Sequence, residues 1–153
     1  MRTYRGFEKT MTASELTIRL ALPKEWKFIV DFFDEHLHNM YHDPGFLPLQ
    51  MIRDKIDRGN CVIAESEEGI LGVALTNGKT LWNLVIHKEY RNRGVGTKLL
   101  KSINPRYVRI KYKGGLPDPT NFYEKNGYRP LGLVKSAVTG KKTILLAERV
   151  DEQ

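Results

Sequence analysis

The chain has 153 residues and a formal net charge of +7, and this length suits one compact domain. Its single cysteine, Cys61, excludes an internal disulfide, and its apolar runs are too short to predict a membrane span. The charge is uneven: residues 1–76 have 9 Lys and Arg against 12 Asp and Glu (net −3), whereas residues 77–153 have 16 against 6 (net +10). The basic half predicts an anionic ligand, and nucleic acid, a phosphorylated cofactor and an acidic membrane surface all fit that description.

The sequence divides into a short tail and one domain. Residues 1–14 are predicted to form an N-terminal tail, and residues 15–153 a single domain. The tail contains charged residues but no apolar stretch of the kind that a secretory signal needs, so a cytoplasmic location is expected.

Hydrophobic periodicity predicts strands and helices that alternate along the domain. Helices are predicted over residues 24–37, from 49 to Gly59, from Gly94 to about 103, and from 120 to about 126. Strands are predicted over residues 16–21, 61–65, 70–76, 81–86, 107–112, 128–138 and 142–150. This order indicates an α/β (α+β) fold with a mixed, mostly antiparallel sheet of about seven strands and helices on both faces.

The most informative segment is the turn that joins the strand at 81–86 to the next helix. It contains Arg91, Arg93, Gly94 and Gly96, and the helix begins directly after it. Free N–H groups at a helix N-terminus bind anions, and glycines let a phosphate approach the main chain. The segment therefore predicts an anion site. The simpler alternative is that the glycines only permit a tight turn and the arginines are solvated.

The sequence contains two motifs, of which the first lies in this turn and the second follows later in the chain. The first is Arg91-Asn92-Arg93-Gly94-Val95-Gly96, and the second is Asn121-Phe122-Tyr123-Glu124-Lys125-Asn126-Gly127-Tyr128. Together they resemble the two signatures of the GNAT superfamily of N-acetyltransferases. The resemblance covers residues 81–131, and the order of elements outside that range agrees with the family fold.

The resemblance implies a sheet that splays between its fourth and fifth strands to admit acetyl-CoA, with no metal ion. It implies that a primary amine, on a small molecule or a peptide, attacks the thioester directly in a ternary complex. Tyr123 would be the general acid that protonates the departing thiolate. The implied cofactor-binding residues are Leu84, Val85, Ile86, Arg91, Asn92, Arg93, Gly94, Val95, Gly96, Thr97, Asn121 and Tyr123.

The general base is not identified by the resemblance. Lys111 stands where some members of the family have a glutamate. His38 and His87 are the candidates for a base that acts through water. His38 belongs to a group with His36 and His42 that is expected in the loop after the first helix, where binding of a metal ion is the less favoured alternative.

Other functions and assignments stay open at this stage. A nucleic-acid-binding module or an acyl-CoA sensor without catalysis would keep the same fold. The alternating basic residues Arg106, Arg109, Lys111 and Lys113 would suit stacked nucleic acid or the 3′-phosphate of the cofactor. No membrane partner is expected, Cys61 is expected to be a small core residue, and the protein is a monomer or a homodimer.

Overall fold

The computed structural model describes residues 16–36, 49–111, 119–136 and 140–151. The predicted tail and most of the loop that contains His38 and His42 lie outside these ranges.

The described chain forms one seven-stranded sheet, which confirms the predicted fold class. Its strands are β1 (Thr17–Leu20), β2 (Cys61–Ser66), β3 (Gly69–Asn77), β4 (Thr80–Ile86), β5 (Tyr107–Lys111), β6 (Tyr128–Lys135) and β7 (Lys142–Arg149). They lie in the order β1-β2-β3-β4-β5-β7-β6, and every neighbouring pair is antiparallel except β4 and β5.

Four helices cover the sheet: α1 (Trp26–His36), α2 (Leu49–Asp57), α3 (Val95–Ile103) and α4 (Thr120–Lys125). One buried core, which includes Phe33, Ile52 and Val73, lies beneath α1 and α2. The other core, which includes Leu99 and Val108, lies beneath α3 and α4. Helices on both faces are therefore confirmed, and none of the described helices is long and apolar enough to cross a membrane.

The predicted opening of the sheet lies between β4 and β5. These strands pair in parallel at only two positions, Thr80 with Tyr107 and Leu81 with Val108. Beyond these pairs β4 continues to Ile86 and β5 to Lys111 without pairing with each other, which creates a notch in the middle of the sheet.

A bulge in β4 lies at the base of this notch. Opposite β4, Leu75 of β3 pairs with Asn83, whereas the next residue, Thr76, pairs with Leu81. Trp82 is therefore the extra residue of the bulge. Such bulges redirect side chains, and they are common beside functional sites.

Candidate active site

The turn between β4 and α3 ends in an exposed helix N-terminus. Gly94 is the N-cap residue with φ of +87°, a conformation that glycine adopts without the strain a Cβ would bring. The first hydrogen bond of the helix runs from the Lys98 N–H to the Gly94 carbonyl oxygen (3.0 Å). The N–H groups of Val95, Gly96 and Thr97 precede it and have no acceptor within the helix. This end of α3 is thus suited to hold a phosphate group.

The side chain of Arg91 has a structural position in this turn. Its Nη2 donates a hydrogen bond to the carbonyl oxygen of His36 (2.5 Å), and its Nε donates to the carbonyl oxygen of Ile86 (3.2 Å). Burial lowers the pKa of this guanidinium from its ordinary value. Arg91 therefore connects the end of α1 to the end of β4 and fixes the start of the turn.

The edge of β4 that faces the notch has main-chain groups that do not bind β3, although the Ile86 carbonyl oxygen accepts a hydrogen bond from Arg91. The His87 N–H donates to the carbonyl oxygen of Leu71 in β3 (2.8 Å). Because hydrogen-bonding direction alternates along an antiparallel strand, Leu84 and Ile86 direct their N–H and carbonyl groups away from β3 and toward the notch. An extended ligand can pair with this edge as a further strand does.

The two sequence motifs meet where Gly96 approaches Phe122. A Cβ added at Gly96 would lie 3.3 Å from Cζ of Phe122 and 3.6 Å from Cγ1 of Ile86. The glycine therefore permits the close packing of α4 against the first turn of α3. This packing brings Tyr123 to the same region, since its ring centroid lies 5.0 Å from that of Phe122.

Tyr123 is the only titratable side chain of α4 that is buried, with 7% of its surface exposed. Burial raises the pKa of its hydroxyl well above the ordinary value, with a smaller contribution from Tyr128. The group is therefore protonated at neutral pH. Within the described ranges the Tyr123 hydroxyl has no hydrogen-bond partner, whereas that of Tyr128 donates to the Pro105 carbonyl oxygen. Asn121 lies exposed two residues earlier in α4.

Of the three histidines predicted in and beside the loop after α1, only His36 lies within the described residues, since His38 and His42 fall outside them. His36 is the last residue of α1 and only 2% exposed, and its Nδ1 accepts a hydrogen bond from the Lys88 N–H (3.1 Å). Its ring centroid lies 4.1 Å from that of His87, whose Nδ1 accepts from the Glu89 N–H (3.1 Å). Burial is the main cause that lowers the pKa of both rings. Each neutral ring thus uses its lone pair as a local acceptor and has its proton at Nε2.

The basic residues of β5 and its neighbours have distinct environments. Arg106 donates to Glu148 (2.8 Å), and Arg149 donates to Asp151 (3.0 Å). Arg109 lies instead over the Trp82 ring, 4.3 Å from its centroid, on the face that has α1 and α2. Of the four basic residues named in the sequence analysis, Arg106 is thus in an ion pair and Arg109 in an aromatic contact, whereas the side chains of Lys111 and Lys113 lie outside the described part of the structure.

Sequence reasoning missed the contact between Lys55 and Trp82. Lys55 of α2 is 7% exposed, and its Nζ lies 4.4 Å from the Trp82 centroid. Its Nζ also donates to the Thr76 carbonyl oxygen (2.6 Å). A signal was present, because Lys55 is three residues after Ile52 and thus on the apolar side of its helix.

The described residues contain no cluster that suits a metal ion, and their cysteine is buried. In residues 16–36, 49–111, 119–136 and 140–151, no three His, Cys, Asp or Glu side chains come together as a metal site would require. Cys61 is buried, which confirms its core position, and burial raises its pKa to about 12.

Part of the sequence matches the model of a known protein family. Residues 57–130 match the family model described as an acetyltransferase (GNAT) domain. No curated protein sequence matched the chain.

Several solved structures share the fold. Apo-form YjaB from Escherichia coli is 21% identical with a TM-score of 0.68, and the match covers 90% of this chain and 99% of that one. A GNAT-family acetyltransferase from Streptococcus agalactiae is 16% identical with a TM-score of 0.70, over 90% and 96% of the two chains. The PaiA N-acetyltransferase from Thermoplasma acidophilum, solved with coenzyme A, is 13% identical with a TM-score of 0.62, over 88% and 99%.

Proposed function

We propose that the protein transfers an acetyl group from acetyl-CoA to a primary amine, because residues 57–130 match the model of an acetyltransferase (GNAT) domain. One observation carries the proposal most directly. The notch between β4 and β5 has on one side a β4 edge that is not paired with β5 beyond Leu81, and it lies close to an uncapped helix N-terminus and a buried tyrosine.

The residues present fit the proposed cofactor. The pyrophosphate would bind at the N-terminus of α3, through the N–H groups of residues 95–97. Leu84 and Ile86 would pair with the amides of the pantetheine arm, since their main-chain groups face the notch. Asn121 would lie beside the arm on the α4 side. Arg91 would contribute by holding the turn in place, because its guanidinium already binds two carbonyl groups.

Bound acetyl-CoA supplies the acetyl thioester. An N–H group at the open edge of β4 stabilises the negative charge that develops on the thioester oxygen as the amine attacks. Tyr123 then donates its proton to the departing sulfur, and the burial that raises its pKa keeps that proton in place until it is needed. Proton removal from the amine would run through water, with His38 and His87 as the predicted bases; His87 would first have to release the hydrogen bond that its Nδ1 accepts from the Glu89 N–H.

Calorimetry with acetyl-CoA and the full chain tests the first half of the proposal. We expect saturable binding in the micromolar range. Folded protein that shows no heat of binding at high micromolar acetyl-CoA would overturn it.

Release of free thiol from acetyl-CoA over a broad amine panel tests the second half. The protein's own thiol adds little background, because Cys61 is buried and its pKa is raised to about 12. Tight binding without turnover on any amine would identify an acyl-CoA sensor instead. Salt-sensitive binding of duplex DNA without acetyl-CoA binding would identify a nucleic-acid module.

A further inference from the structure

Two cationic side chains share one aromatic ring at the base of the notch. Lys55 Nζ and Arg109 Cζ lie 4.4 and 4.3 Å from the centroid of the Trp82 ring. We call these three residues the Trp82 cluster. Both positive groups lie on the face of the sheet that has α1 and α2, and they are near enough for Arg109 to lower the pKa of Lys55.

The two cations of the cluster have no carboxylate partner within the described ranges. Among the described residues, no carboxylate lies within ion-pair distance of Lys55 or Arg109, although Arg19, Arg106 and Arg149 all have such partners. Burial lowers the pKa of both cations, and the field of Arg109 lowers that of Lys55 further. The ring face compensates a cation only in part, so this pair is arranged for an anion.

Arg109 is the member that can bind such an anion. Lys55 is buried, and its Nζ already donates to the Thr76 carbonyl oxygen, whereas Arg109 is partly exposed and has no hydrogen-bond acceptor in the described part of the chain. A guanidinium offers two parallel N–H groups that match the two oxygens of a carboxylate. Lys55 adds positive potential from its buried position in α2.

The position of the cluster connects it with the acceptor. Trp82 and Arg109 directly follow Leu81 and Val108, the last pair that joins β4 to β5. The cluster therefore lies where the strands begin to separate. It is on the face opposite α3 and α4, whose core contains Val108 and Ile110 from the same strand.

Resting on the acetyltransferase function proposed above, we propose that the Trp82 cluster binds a carboxylate of the acceptor, so that the preferred substrates are amines that also have a carboxylate group. Arg109 forms the paired hydrogen bonds, and Trp82 provides the flat surface against which the ligand and the guanidinium are held.

The test compares free amino acids with their carboxamides as acceptors for the full chain, with thiol release as the readout. The ratio of kcat/KM for acid over amide should fall by about tenfold or more in Arg109→Gln. The matched control is Arg53→Gln, because Arg53 stacks on the other tryptophan, Trp26, at 4.8 Å, and this change should leave the ratio as it is. An unchanged ratio in Arg109→Gln overturns the proposal.

A second measurement separates this inference from the acetyltransferase function. In Trp26→Phe, Trp82 is the only tryptophan, so its fluorescence reports on the cluster without turnover. Titration with the same amino acids should give a saturable change that the carboxamides and Arg109→Gln do not give. The absence of any saturable change overturns the carboxylate site even if acetyl-CoA is used. A saturable change without acetyl-CoA binding retains the site and rejects only the acetyltransferase function.

A third measurement tests whether the cluster instead binds the 3′-phosphate of the cofactor. Arg109→Gln should bind acetyl-CoA and acetyl-dephospho-CoA as the unchanged chain does. If it weakens acetyl-CoA selectively, the cluster holds the 3′-phosphate, and the acceptor assignment is wrong.

Discussion

Arg91 donates a hydrogen bond from Nη2 to the carbonyl oxygen of His36, a residue 55 positions earlier in the sequence. The acceptor is the last residue of α1, where helical carbonyl groups lack partners of their own. The same side chain binds the Ile86 carbonyl oxygen at the end of β4. Arg91, which belongs to the proposed phosphate turn, thus binds the carbonyl groups at the ends of α1 and β4 and positions α1 beside the notch.

Replacing Arg91 with Met should therefore destabilise the fold. Loss of two hydrogen bonds from a charged donor should lower the free energy of unfolding by about 1.5–3 kcal/mol, as measured by urea denaturation. Lys101→Met is the matched control: it removes an exposed cation from α3 and should change stability by less than about 0.5 kcal/mol. Equal stability of the two variants would contradict the role of Arg91.

Tyr123→Phe tests the general acid. The ring stays buried, so we expect the fold and acetyl-CoA affinity to persist while kcat falls by about 10²- to 10⁴-fold. Tyr128→Phe is the control, because it removes a buried hydroxyl that donates to the Pro105 carbonyl oxygen. That variant should lose stability but retain turnover per folded molecule. A large loss of acetyl-CoA affinity in Tyr123→Phe would mean that Tyr123 is structural.

Gly96→Val tests the contact between the two motifs. The added side chain would begin 3.3 Å from the Phe122 ring, so it must displace α4 or the ring itself. We expect a loss of about 1–3 kcal/mol in unfolding free energy and weaker acetyl-CoA binding by calorimetry. Adding Phe122→Leu should restore part of both. If the second change restores neither, the contact does not set the geometry of the site.

The stacked pair of His36 and His87 predicts a loss of stability in mild acid. Burial lowers the pKa of both rings from the ordinary 6.5, whereas the unfolded chain titrates near that value. Glu35 opposes this shift, and Lys88 and Arg91 reinforce it. The unfolded state therefore binds more protons below about pH 6.5, and folding stability decreases as the pH falls from there toward 5.

Urea denaturation at pH 7.5 and pH 5.5 measures this effect. The double variant His36→Asn, His87→Asn retains a side-chain acceptor at each position and should show a smaller difference between the two pH values than the unchanged chain does. An equal or larger difference would exclude the histidine pair as the cause.

The order of elements was predictable because each one has a local pattern. The predicted strand ends that fall in the described ranges differ from the observed ends by at most one residue, apart from β6. Alternating apolar residues such as Val108 and Ile110 require no long-range information, since they follow from burial of one strand face. The end of α1 was harder to predict, because His36 is buried by a contact with the distant His87 ring.

The proposed cofactor turn was predictable for a different reason. Its residues are close together in the sequence: Gly94 is the N-cap of α3, and Gly96 lies in the first turn of that helix. The Trp82 cluster was not predictable, because its members come from α2, β4 and β5 and meet only after the sheet has formed. The bulge at Trp82 leaves no local signal in sequence, since it depends on register with β3.

The two pairs that join β4 to β5 also divide the sheet mechanically. Four strands lie on one side of this seam and three on the other, and the core beneath α3 holds the two blocks together. Every other junction in the sheet has at least four paired positions. We therefore expect the sheet to flex most easily at this seam, so that the width of the notch can adjust to its contents.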